Sequence, residues 1–572
     1  MTVVPGSHRL GGMRLPIFVA LGMTLAVACG GDDTTTPGDG GAVPDGSVVP
    51  DGGVTPDGSV VPDGSVSAPV CAPAITAVDV SKPTTVVGTG TPASCTETLL
   101  DAAIQKAGVI TFDCGAAPTT ITITSEKKLK TNADTTLDGG GKITLDGKNT
   151  TRLLSFVDGN YRTSKVTVTL QNLTFTGGKS SGTAIPAAPA PCSQGTDVDG
   201  GGSAIFVRNG ILHVSKSTFK NNAAPPLGPD VGGAIYVLGS LGVVVQDSVF
   251  DGNTGSNGAG IYMLNSDLTV VGSTFTNNKA LGTGGNTIDK GKCPSTTSGE
   301  IGSGGSGAAI TIDGGSDGAL LICGSTFSGN QATALAGAIF RTPDNAVQTS
   351  TIRASTFDGN TCPGCGGGAL YFHHSNLVIE STTFSNNSAK GAGAIQTDDT
   401  TLTLTNDTFY ANAATSGLGG AISHFNNGAA GGTIASCTFA SNKSEGGSGL
   451  FAAAIAGNTP YVMTNDLFVD NTSKDCGAPM ACQTKPGGGG ANLQWPDKHT
   501  VCTGADPACG TGTTFADPKV GPFGDNGGPT KTLVPQVGSP ALGAGKGCPT
   551  LDQRGNARKS PDGCTIGAVE AP

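Results

Sequence analysis

The chain has 572 residues, a net charge of −11 and only 13% charged residues. An acidic balance without basic clusters argues against a nucleic-acid partner and against docking on anionic lipid through a basic face. Sixteen Cys in a Gly-rich sequence point to an oxidising compartment.

Residues 13–29 read as an export signal, with Arg14 as the charged start and Leu15 to Val27 as the apolar run. At about 13 residues that run is short of the ~20 a membrane span needs. Residues 1–12 read as superfluous, with translation expected to start at Met13. The stretch Leu25-Ala26-Val27-Ala28-Cys29 resembles a bacterial lipobox, with Ala26 where Leu is commoner. That resemblance implies a signal over 1–28 and a lipidated Cys29. Gly30 after it favours the outer membrane of a Gram-negative cell, at the bacterial cell surface. The alternative is an ordinary secretory signal. Residues 29–69 follow as a tether: Pro-Asp-Gly recurs with Asp45, Asp51, Asp57 and Asp63 evenly spaced, and there is too little apolar surface to fold. The Gly and Pro between those Asp lack the further oxygen ligands a calcium site needs.

Residues 70–118 read as an N-terminal cap. Thr96 to Ala107 carries Leu99, Leu100, Ala103 and Ile104 on one helical face, and Gly108 stops the helix. Cys95 and Cys114 flank it and are expected to pair. A cap is needed because an open coil end exposes strand edges.

Residues 119–495 are repetitive. The clearest copy is Gly232-Gly233-Ala234-Ile235-Tyr236 followed by Val243, Val245, Phe250 and Asn253. Nine units end in Phe-x-x-Asn, from Phe219/Asn222 to Phe468/Asn471. A tenth, weaker one ends at Phe175, with Gly178 in place of Asn. The residue five before each Phe is apolar. A recurring unit of this size means stacked elements that bury a core only against their neighbours. Alternation has period two, giving three short strands per unit. The Asn is expected to take a left-handed turn and to ladder its amides along the stack, and the Gly pair to permit the next corner. The Gly-Gly-Ala-Ile and Phe-x-x-Asn elements resemble the polymorphic outer-membrane-protein type of repeat over roughly residues 165–475. The resemblance implies an all-β, right-handed parallel β-helix.

Residues 496–572 form a distinct tail. Asp525-Asn526-Gly527-Gly528-Pro529-Thr530, Asp552-Gln553-Arg554-Gly555 and Ile566-Gly567-Ala568-Val569-Glu570 resemble the choice-of-anchor C-terminal domain. Asp552 and Arg554 are expected to form a buried ion pair closing the C-terminal end of the coil, the alternative being a catalytic Asp552. Cys548 and Cys564 are expected to pair. Cys476, Cys482, Cys502 and Cys509 are further disulfide cysteines of open connectivity.

No metalloprotease, nucleophile-elbow or complete phosphate-loop motif occurs, and no metal or cofactor is expected. Cys362-x-x-Cys365 lies in a Gly-rich turn and reads as a local disulfide or two crossing ones rather than a zinc or redox site. Aligning units on Ala-Ile places Asp313, Thr342, His373, Asp398 and Phe425 in one column and His374 and Asp399 in the next. His373 with Asp398 or Asp399 is the weak catalytic candidate, an acid and base on neighbouring rungs; the alternative is a polar turn facing solvent. In the strand before that column Ile205, Ile235, Ile261, Ile339 and Leu370 should point inward. Phe206, Tyr236, Tyr262, Phe340 and Tyr371 should then point outward, a ligand-binding platform for sugar rings beside a rim of loops. The alternative is that the loops cover the rings. The favoured function is a monomeric, non-catalytic, lipid-anchored adhesin or glycan-binding protein. The alternatives are a polysaccharide lyase or glycoside hydrolase, and a structural envelope component.

Overall fold

The computed structural model describes residues 71–572 apart from 181–199, 227–231, 283–303, 314–317, 344–346, 418, 426–430, 446–451, 453, 458–460, 475–477, 484–485 and 499–503. The export signal, Cys29, the tether, Cys192, Cys293, Cys476 and Cys502 lie outside the described residues. Gly64–Pro572 forms one compact unit.

The unit is a right-handed parallel β-helix. One rung runs Ile339–Thr342, Gln348–Arg353, Thr356–Asp358, Thr361–Cys362, and the next opens at Leu370–His373. The first strand of each rung builds an 11-stranded sheet. The second and third belong to a 26-stranded sheet bent at a corner, and the shortest strands form small ladders of five and two. Successive rungs pair in parallel, residue for residue, as with Phe327↔Phe357 and Ile339↔Leu370. Period-two alternation therefore puts one apolar column after another into a single core.

Two side-chain ladders hold the rungs in register. Phe175 to Phe468 stack as one column with centroids 4.6 Å apart at the closest pair and 5.1 Å at the widest. The weak tenth unit belongs to it, since Phe175 lies 4.8 Å from Phe219. Beside them the Asn amides form a continuous chain. Asn360 Oδ1 accepts from the backbone and side-chain nitrogens of Asn330. Its Nδ2 donates to Asn387 Oδ1 and to the Phe327 carbonyl. The left-handed turn expected of these Asn falls one residue earlier: Asn221, Gly252, Asn277, Gly359 and Asn386 have positive φ, and the ladder Asn do not. The turn residue faces outward, which frees the next side chain to enter the core. The second Gly of the Gly-Gly pair answers to close approach. A Cβ at Gly233 would sit 1.9 Å from the Ala259 carbonyl oxygen of the next rung.

The cap helix spans Glu97–Ile104, with Thr96 accepting from the Leu99 amide. Leu100, Ala103 and Ile104 are buried while Leu99 is largely exposed. Glu97 pairs with the buried ammonium of Lys127 at 2.6 Å. Burial raises the carboxyl's pKa, but Lys127, Thr124 and two backbone amides outweigh it and bring it to about 2.

Cys95–Cys114, Cys362–Cys365 and Cys548–Cys564 form disulfides, and Cys482 pairs with Cys509. An unforeseen bond, Cys71–Cys323, ties the segment before the cap to the flank of the coil. Along the way Gln246 accepts from the Ala74 and Ile75 amides, and Gln171 exchanges two bonds with Val78. The ion pair Asp552–Arg554 is present at 3.0 Å with Asp552 fully buried. The segment that carries it lies along the coil's flank, not over the end as expected. Thr383 donates to the Lys531 carbonyl, Arg558 donates to Asn406, and Asn465 accepts from the Lys546 amide. Thr383, Asn406 and Asn465 stand on three different rungs of the coil, so a segment running along its axis satisfies them.

Candidate functional site

The aromatic column stands on the outward side of the 11-stranded sheet, as the alternation requires. Ile205 and Val207 enter the main core, whereas Phe206, Tyr236 and Tyr262 form a separate cluster. That cluster is no platform: all three rings are fully buried and Phe340 nearly so, which corrects the expectation of an exposed column. Neighbouring rings pack edge to face, with centroids 5.1 and 5.3 Å apart. Glycine backbone covers them, since a Cβ at Gly201 would lie 2.0 Å from the Tyr236 ring. Arg152 holds that cover, donating to the Gly201 carbonyl while its guanidinium stacks 5.4 Å from Phe206. Thr311 interrupts the column, its hydroxyl turned back to the Ser306 carbonyl.

Only Tyr371 remains half-exposed, and it meets the polar column beside it. The predicted register holds, with His373 opposite Asp398 and Asp398 opposite Phe425. Tyr371 donates its hydroxyl to Asp398 Oδ2 at 2.5 Å, and Thr342 Oγ1 lies 3.3 Å from His373 Nδ1. Burial raises the Asp398 pKa, opposed by the bonds from Tyr371 and Gln396 and the nearness of His373. Burial and the two aspartates Asp398 and Asp399 push the Tyr371 phenol far above its ordinary range. The phenol therefore stays a hydrogen-bond donor. His374 and Asp399 follow at the turn, both at positive φ. The result is a half-buried patch of phenol, carboxylate, imidazole and amide on a rigid sheet. Among the described residues no cluster of three or more His, Cys, Asp or Glu could hold a metal ion.

A second polar group lies inside the coil, where none was foreseen. Thr397, His424 and Gly457 share one inward column, and Thr397 Oγ1 is 2.6 Å from His424 Nδ1. The His424 ring lies 4.9 Å from that of the buried Tyr461, and neither His424 Nε2 nor the Tyr461 hydroxyl has a protein partner. Three rungs back in the same sheet, Arg341 is buried in the same inward column and donates to the Gly318 carbonyl. Burial lowers its pKa to about 10, with Asp267 opposing the shift. The signal was available: Arg341 and His424 sit two residues after Ile339 and Ile422, where alternation demands an inward side chain.

Burial lowers the His424 pKa to about 4. Below pH 6.5 the unfolded chain takes up a proton that the folded chain refuses until about pH 4. Stability is thus complete above pH 6.5 and falls through that window, by at most about 1.4 kcal/mol per pH unit. The difference in stability between the natural protein and His424→Phe, followed by denaturant melts from pH 8 to 4, should show this slope. A flat difference would mean that His424 is not held neutral.

Among the described residues no helix is long and apolar enough to cross a membrane. No curated protein matches the chain. Among solved structures it is similar to PfbA, a surface adhesin of Streptococcus pneumoniae, at 13% identity and a TM-score of 0.37, covering 69% of this chain and 92% of that one. The family described as right handed beta helix region matches residues 156–332 and 301–473. Those matches together span more than half of the 572 residues, and the chain belongs to the right-handed β-helix family.

Proposed function

We propose that the protein is a lipid-anchored adhesin of the bacterial outer surface that binds glycans without cleaving them. The observation that carries this reading is the Tyr371–Asp398 hydrogen bond. It engages the carboxyl a hydrolase would need as its acid, and Thr342 similarly engages His373. What remains is a fixed array of donors and acceptors on a rigid sheet. Such an array suits sugar hydroxyls, because little side-chain freedom is left to lose on binding. Tyr371 supplies the one half-exposed ring of the aromatic column.

A glycan array probed with the full-length protein tests it. Asp398→Ala combined with Tyr371→Phe should weaken the strongest signals by tenfold or more, as loss of about 1.5–3 kcal/mol of charge-assisted hydrogen bonding implies. Unchanged signals would remove the patch from the binding surface. The anchor has its own test: Cys29→Ser should move the protein from the membrane fraction to the periplasm or medium. Retention in the membrane without an acyl mass on the natural protein would refute lipidation.

A further inference from the structure

We propose a second carbohydrate site, distinct from the Tyr371–Asp398 patch, in the groove between the tail and the flank of the coil. The inference rests on the glycan-binding reading and adds to it a place and a ligand class. The groove encloses about 360 Å³. Its floor is the outer face of three consecutive rungs, where Thr326 and Thr356 are register partners, as are Ser328, Asp358 and Ser385. Its wall is the tail loop from Asp525 to Lys531.

The rungs repeat at about 4.8 Å, close to the length of one sugar residue, so an oligosaccharide lying along the axis meets a fresh hydroxyl or carboxylate at each rung. Asp358 is held in place: one of its oxygens accepts from the Ser385 hydroxyl at 2.7 Å and from Asn386 Nδ2 at 2.8 Å. The tail loop is fixed as well, with Asp525 accepting from the Gly527 amide and the Lys531 carbonyl accepting from Thr383. One rung beyond Ser385, Tyr410 stacks on Phe523 at 4.1 Å and pins the tail to the coil there. The two carboxylates outnumber the single ammonium of Lys531, which disfavours anionic polymers. The ligand class is therefore a neutral oligosaccharide, read through its hydroxyls by carboxylate, ammonium and threonine side chains. Binding sites concentrate at seams between packed units, and this seam joins tail to coil.

The experiment compares full-length proteins on an array of immobilised neutral, amino and uronic oligosaccharides. The natural protein should retain neutral members. Asp358→Ala with Thr356→Ala should lower that retention at least tenfold while circular dichroism shows the coil still folded, and Lys531→Gln should lower it without touching the coil. The patch variant Asp398→Ala/Tyr371→Phe should keep retention at the groove. If the groove variants retain neutral oligosaccharides normally while the patch variant loses them, the groove proposal falls and the patch stands. If the natural protein retains no neutral oligosaccharide, the groove proposal falls regardless of the patch.

Discussion

Phe357→Ala should destabilise the middle of the coil by about 3–5 kcal/mol, the usual cost of emptying a fully buried aromatic site. The ring is stacked on both sides, 4.7 Å from Phe327 and 4.8 Å from Phe384, so the cavity cannot be filled by one neighbour without opening a gap at the other. In a solenoid each rung depends on its neighbours alone. The damage should therefore appear as faster amide exchange over the rungs around residues 327–384, with the cap helix at Glu97–Ile104 unaffected. Loss of protection spread evenly over the whole chain would show that the coil does not behave as a stack of nearest-neighbour units.

The second large effect belongs to the amide ladder. Asn360→Ala removes the acceptor of two Asn330 nitrogens and the donor to the Phe327 carbonyl, all at zero or near-zero exposure. Each orphaned buried group costs roughly 1–3 kcal/mol, so the substitution should cost about 3 kcal/mol or more, although it deletes only a small polar side chain. Denaturant melts of Asn360→Ala beside the natural protein would measure it. A cost under about 1 kcal/mol would mean that water reaches the ladder and that its amides do not fix the register.

The coil was legible because its signals are local and repeated. Phe-x-x-Asn fixes the spacing of two ladders, and the alternation around Ala-Ile assigns each residue a side. The same alternation put His373 opposite Asp398, as observed. A third ladder was written in the same motif. The residue two before each Phe, from Ser217 through Ser248, Ser273, Ser325 and Ser355, accepts the backbone amide of the rung before it. Burial of the aromatic column was not legible. Whether Tyr236 is covered depends on how closely a distant glycine backbone approaches it, and Gly201 is brought there by Arg152, far away in sequence. Cys71–Cys323 was hidden for the same reason, since its partners are 252 residues apart and no spacing rule connects them. The groove beneath the tail loop joins residues near 356 and 528, which share no motif.

The most direct test of the account is to incubate the full-length protein with the glycan it captures best from an array and to follow binding and release of reducing ends together. The account predicts saturable binding with no new reducing ends, and loss of the share of binding held by the patch when Asp398→Ala is combined with Tyr371→Phe. Reducing ends that accumulate with the natural protein and disappear with His373→Ala or Asp398→Ala would contradict it and make the patch a catalytic site.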